Sequence, residues 1–188
     1  MKRSQRLALL TLLAREMRKR DSWCGETHIQ KATFFLQELL KVDAGFEFIL
    51  YRHGPFSFDL RDELSSMQAD DLLELCVRQQ GYGPTYVPTS FSETFLERFP
   101  KTTSRYLHLI EFIADELSDK GVAELERIAT IFFITSREGI ADGEDRAERL
   151  VTLKPHVTPH EARDASRYVN GLTARARRVF DVEAPHAC

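Results

Sequence analysis

Apolar residues recur along the chain at two spacings, and the switches between them mark out its elements. Over residues 4–20, Leu7, Leu10, Leu13, Ala14 and Met17 fall on one face, which predicts an amphipathic helix with Arg15, Arg18 and Lys19 on an opposite, solvated face. Gly25 breaks the connector at 23–26. Thr27 and Gln30 then stand at capping-box spacing before a second helix that turns Ile29, Ala32, Phe35, Leu36, Leu39 and Leu40 inward. At 46–51 the period changes to two: Phe46, Phe48 and Leu50 alternate with Glu47, Ile49 and Tyr51, predicting a strand that Gly54-Pro55 ends in a turn. Ser57 caps a third helix with Phe58, Leu60, Leu64 and Met67 inward and Asp59, Asp62 and Glu63 outward. Two strands at 72–79 and 85–89, joined through Gly81 and Gly83-Pro84, read as a hairpin or wing.

From Ser90 onward the period is helical throughout. Helices are expected at 91–99, ended by Pro100, then at 104–117, 122–136 and 143–153. The 122–136 segment is apolar nearly all round, which predicts central burial. Thr158-Pro159-His160-Glu161 combines an N-cap, a proline at the first helical position and a capping-box glutamate, opening a last helix that reaches about Phe180. A flexible tail is expected over 181–188. The fold these patterns predict is mainly α with a small β-hairpin: a winged-helix-like N-terminal half (1–89) packed on a C-terminal helical bundle (90–180) as one unit.

Composition narrows the function classes. The 188 residues are 43% hydrophobic and 29% charged, ordinary values for a chain that builds its own core. A net charge of −3 argues against a dedicated nucleic-acid binder. Lys2, Arg3 and Arg6 precede a short apolar run, but charged residues follow at once, and the run is far below the roughly 20 residues needed to cross a bilayer. The expectation is a cytoplasmic protein without a membrane partner. Cys24, Cys76 and Cys188 form no Cys-x-x-Cys pair and read as free thiols. His156 and His160 have metal-ligand spacing, yet Pro159 and the cap separate them. No nucleotide or nucleophile fingerprint occurs, and Ser57, near His53, has its hydroxyl committed to capping. No cofactor, metal or catalytic residue is expected.

Two segments are candidate contact surfaces. The first is the turn carrying Tyr51, Arg52, His53 and Phe56, where a guanidinium, an imidazole and two aromatic rings fit a protein-binding anchor. The second is the basic first helix, where Arg3, Arg6, Arg15, Arg18 and Lys19 could meet phosphates. The third helix carries three carboxylates against Arg61 alone, and a phosphate-lined groove repels them. Another protein is therefore the favoured partner and nucleic acid the alternative, with partner identity and oligomeric state left open.

Five motifs in order resemble the uncharacterised prokaryotic YwgA-like family, related to the Panacea domain of SocA-type antitoxins. They are Thr27-His28-Ile29-Gln30-Lys31, Tyr51-x-x-Gly54-Pro55-Phe56-Ser57, the Leu60 to Leu64 helix, Leu125-Glu126-Arg127-Ile128-Ala129-Thr130, and Lys154-Pro155-His156-Val157-Thr158. The resemblance covers most of the chain, from about residue 7 to 172. The resemblance implies a winged-helix-like helical fold without catalysis, in a toxin–antitoxin or phage-defence setting.

Overall fold

The computed structural model describes residues 1–180; the tail expected at 181–188 lies outside the described residues. Helix α1 (Arg3–Lys19) packs most extensively on α5 (Pro100–Leu117), and also meets α2 (Glu26–Glu38) and α4 (Ser90–Glu97). This corrects the expectation of a solvated face. Leu9 and Leu12, off the predicted stripe, are fully buried, and so are Thr11 and Glu16. Neighbours on several sides leave the helix only a narrow exposed edge.

Helix α2 starts one residue before Thr27, with Gly25 at its N-cap, so the expected Thr27–Gln30 capping box does not form. Gln30 is used elsewhere. Its buried amide donates to the Ser57 carbonyl and accepts from the Ser57 amide, both at 2.9 Å. The segment read as one strand closed by a Gly-Pro turn is a hairpin instead. Strand β1 (Ile49–Tyr51) pairs antiparallel with β2 (Gly54–Phe56), Tyr51 opposite Gly54, so Arg52 and His53 form the turn and Gly54-Pro55 lies within a strand.

Helix α3 (Phe58–Ala69) begins as expected, the Ser57 hydroxyl accepting from the Leu60 amide at 3.3 Å, and Leu60, Leu64 and Met67 are buried. Two positions on it differ from expectation. Phe58 is 40% exposed rather than inward. Glu63 is buried rather than solvated, because Arg3 (2.7 Å) and Arg6 (2.9 Å) reach it from α1. Strands β3 (Leu73–Cys76) and β4 (Thr85–Pro88) form the second hairpin, tied to the α1–α2 connector by the Tyr86 amide donating to the Cys24 carbonyl.

Pro100 does not merely end α4. It opens α5 four residues earlier than expected, at the helical position where a missing amide hydrogen costs least. Helix α6 (Val122–Arg137) is buried along most of its circumference, as its all-round apolarity predicts. It lies against α2, α8 (Pro159–Phe180) and α7 (Gly143–Leu153). The capping box at the start of α8 is present, Thr158 and Glu161 exchanging hydrogen bonds at 2.9 and 3.3 Å. A single apolar cluster runs from Leu7 to Ala176 and does not break at 89/90; Phe35 of α2 stacks on Phe132 of α6 at 5.0 Å. Among the described residues no helix is long and apolar enough to cross a membrane.

Candidate functional site

The β1–β2 hairpin rests on a group of charged side chains that the core has enclosed. Lys31, in the middle of α2, is 1% exposed, and its ammonium donates to the Pro55 carbonyl at 2.8 Å. Lys154, just past α7, donates to the carbonyls of Tyr51 (3.3 Å) and Arg52. Its ammonium also lies 3.0 Å from Glu126 of α6, a carboxylate that is itself buried. His53 reaches the other oxygen of Glu126 through Nδ1 at 3.1 Å, while its ring stays largely in solvent. One carboxylate thus pairs with the enclosed Lys154 ammonium and the turn residue His53, and its charge also acts on Lys31 without a direct contact.

The electrostatics follow from this placement. Burial pushes the Lys31 ammonium down to about 8, with Glu126 opposing and Lys154 assisting. Burial alone would raise the Glu126 carboxyl, but Lys154 and His53 outweigh it and hold the group below its ordinary value. Backbone packing locks the same region. Gly54 has φ +82°, and a Cβ there would lie 2.8 Å from the Thr130 hydroxyl and 3.3 Å from the Glu126 carbonyl. Only glycine allows the hairpin to lie this close to α6.

Above that base the hairpin and α3 hold three aromatic rings together. Tyr51, Phe56 and Phe58 pack pairwise with centroids 5.1–5.8 Å apart, and Tyr51 is 43% exposed. Arg52 lies over the Tyr51 ring and Arg61 over Phe58, at 5.9 and 5.0 Å. The structure therefore brings Tyr51, Arg52, His53 and Phe56 onto one hairpin, with Arg52 and His53 exposed and Phe56 half-buried. Phe58 and Arg61 complete the surface from α3.

The five basic residues expected as nucleic-acid contacts are distributed differently. Arg3 and Arg6 hold Glu63; Arg15 pairs with Glu16 and Glu93 at 3.1 and 3.0 Å; Lys19 pairs with Glu16 at 2.8 Å; Arg18 donates to the Ser22 carbonyl. Arg3, Arg6 and Arg15 bind α1 to α3 and α4, while Lys19 and Arg18 are engaged within α1 and at its C-terminal end, so the five do not form a run of unpaired cations. Cys24 is fully buried, and that burial pushes its thiol up to about 12. Among the described residues no group of three or more His, Cys, Asp or Glu is placed to hold a metal ion. His156 instead lies 3.8 Å from Glu126, and His160 pairs with Asp164 at 3.2 Å. No protein-family model matches the chain, and no curated protein matches it.

Lys31, Glu126, Lys154, Phe58 and Gln30 are the site residues that pattern reading misses. A signal was present for two of them. Lys31 shares a helix face with Phe34 and Phe35, and Glu126 lies on the most apolar helix in the chain. A charge in either setting must be paired or neutralised.

Proposed function

We propose that the chain is a non-enzymatic regulatory or antitoxin-like module that binds another protein through the hairpin face, in a cytoplasmic toxin–antitoxin or phage-defence setting. In this reading the N-terminal half is winged-helix-like and packs on a C-terminal helical bundle. The order α1, α2, α3 and then the β3–β4 hairpin supports it. The carrying observation is the aromatic trio of Tyr51, Phe56 and Phe58, flanked by Arg52 and Arg61 and kept partly in solvent by a hairpin fastened from below. Aromatic and arginine side chains supply most interface hot spots, and a preorganised hairpin loses little entropy on docking. Lys31 has the lowered pKa of a reactive lysine, but its ammonium is sealed against a backbone carbonyl, which supports a structural role.

Affinity purification from native cells, read by mass spectrometry, tests this with Arg52→Ala and Phe58→Ala beside the wild type. Both positions are exposed, so stability should stay within about 0.5 kcal/mol for Arg52→Ala, while partner recovery falls at least tenfold for each variant. A partner retained by both variants would remove the hairpin face from the proposal.

Binding to DNA through α1 and the β3–β4 hairpin is the alternative. Asp59 and Asp62 remain exposed on α3, and the α1 cations already have acceptors. Fluorescence anisotropy with mixed-sequence duplexes at physiological salt should show no binding tighter than the roughly 10⁻⁴–10⁻⁶ M of non-specific association. Sub-micromolar, steeply salt-dependent binding would favour the DNA reading.

A further inference from the structure

A cavity of about 820 Å³ opens between the α1–α2 connector, the β3–β4 hairpin and the loop joining α5 to α6. It lies apart from the hairpin face. Its wall is aromatic: Trp23 and Tyr82 pack with centroids 5.4 Å apart, and Tyr86 lies deeper. Among its lining residues are three with a polar atom that is sealed from solvent and has no hydrogen-bond partner among the described residues: Glu26 Oε1, His28 Nδ1 and the Ser118 hydroxyl. Each such atom left without a partner costs about 1–3 kcal/mol, and the three lie beneath the cavity lining rather than on its surface.

The chemistry of those atoms points one way. Burial lowers the His28 pKa and so favours the neutral ring. Its Nε2 lies 3.1 Å from the Lys120 carbonyl, which can only accept. The proton therefore sits on Nε2, leaving Nδ1 as a bare acceptor. Glu26 offers a carboxylate. The cations at the rim are already engaged, Arg20 with Glu16 and Asp115, Lys120 with Asp119 and Glu124. A carboxylate beside an aromatic wall suits a positively charged donor, which also gains from the ring faces.

We propose that this cavity binds a small organic cation with an aromatic or apolar body, such as an amine or amidine, whose N–H groups pair with the Glu26 carboxylate while its body lies against Trp23, Tyr82 and Tyr86.

Benzamidine is a suitable probe, with benzoate and benzyl alcohol as anionic and neutral controls of similar size. Trp23 is the chain's only tryptophan, so its fluorescence reports from the cavity wall beside a calorimetric titration. The expected result is saturable binding of benzamidine at least tenfold tighter than of either control. Glu26→Gln should weaken it about tenfold, and Tyr82→Ala, at a position 61% exposed, should weaken it without disturbing the fold. Arg52→Ala should leave it unchanged, which separates this site from the partner surface. Saturation by benzoate equal to that by benzamidine, no loss in both Glu26→Gln and Tyr82→Ala, or no saturable binding of benzamidine would each overturn the proposal.

Discussion

Glu126→Gln is expected to cost about 3–5 kcal/mol of folding stability, among the largest effects of any single substitution in the chain. The change keeps the shape of the side chain and removes only its charge. Lys31 and Lys154 would then both be enclosed with carbonyl oxygens as their remaining acceptors. Adding Lys154→Met should recover part of the loss, because the second substitution removes one of the stranded charges. Denaturant unfolding of the two single variants and the double variant would show this as a clear departure from additivity. Strictly additive losses would mean that Glu126 and Lys154 do not act as a unit.

The same group predicts a pH dependence. Burial holds the native Lys31 pKa near 8, below its ordinary 10.5. Between those values the unfolded chain binds the proton and the native chain has released it, so stability rises with pH across that window. Below about pH 8 both states are protonated and the burial penalty, about 3 kcal/mol from a shift of this size, is felt in full. Lys31→Met should abolish the Lys31 share of that rise, which unfolding curves at pH 7 and pH 10 would measure.

Gly54→Ala is the second large effect, expected at about 2–5 kcal/mol from a strained positive φ combined with overpacking against α6. Thr130 carries the nearest atom, so Thr130→Ala in the same chain should relieve part of the cost. The Glu126 carbonyl and the backbone angle account for what remains. A melting temperature unchanged by Gly54→Ala would show that the hairpin can lift off α6 without penalty.

Much of the helical framework is legible in the chain because its cues are local. The Thr158–Glu161 box, the Ser57 cap and the all-round apolarity of α6 each depend on residues within a turn or two. The misreadings share a different origin, since each was decided by a distant segment. Gly54-Pro55 carries a strong turn signal, yet Tyr51 pairs with Gly54 and α6 packs against it. Thr27 and Gln30 have capping spacing, but Ser57 claims the glutamine amide. Glu63 looks solvated in its own helix and is enclosed because two arginines arrive from α1. Of the candidate surface, the exposed half could be read from residues 51–56. Beneath it, the apolar surroundings of Lys31 and Glu126 signal charges in need of partners, but their meeting with Lys154 could not be read, since the three lie in segments far apart in the chain.

The position of α1 also bears on the order in which the protein can mature during synthesis. Its most extensive neighbour, α5, begins roughly 80 residues later, several seconds of elongation at about 5–20 residues per second. Throughout that interval the leucine-rich first helix lacks the surface that covers it, although α2, β4 and α4 follow sooner. A nascent chain arrested before residue 100 should therefore attract holdase chaperones, and one extended past residue 117 should escape them.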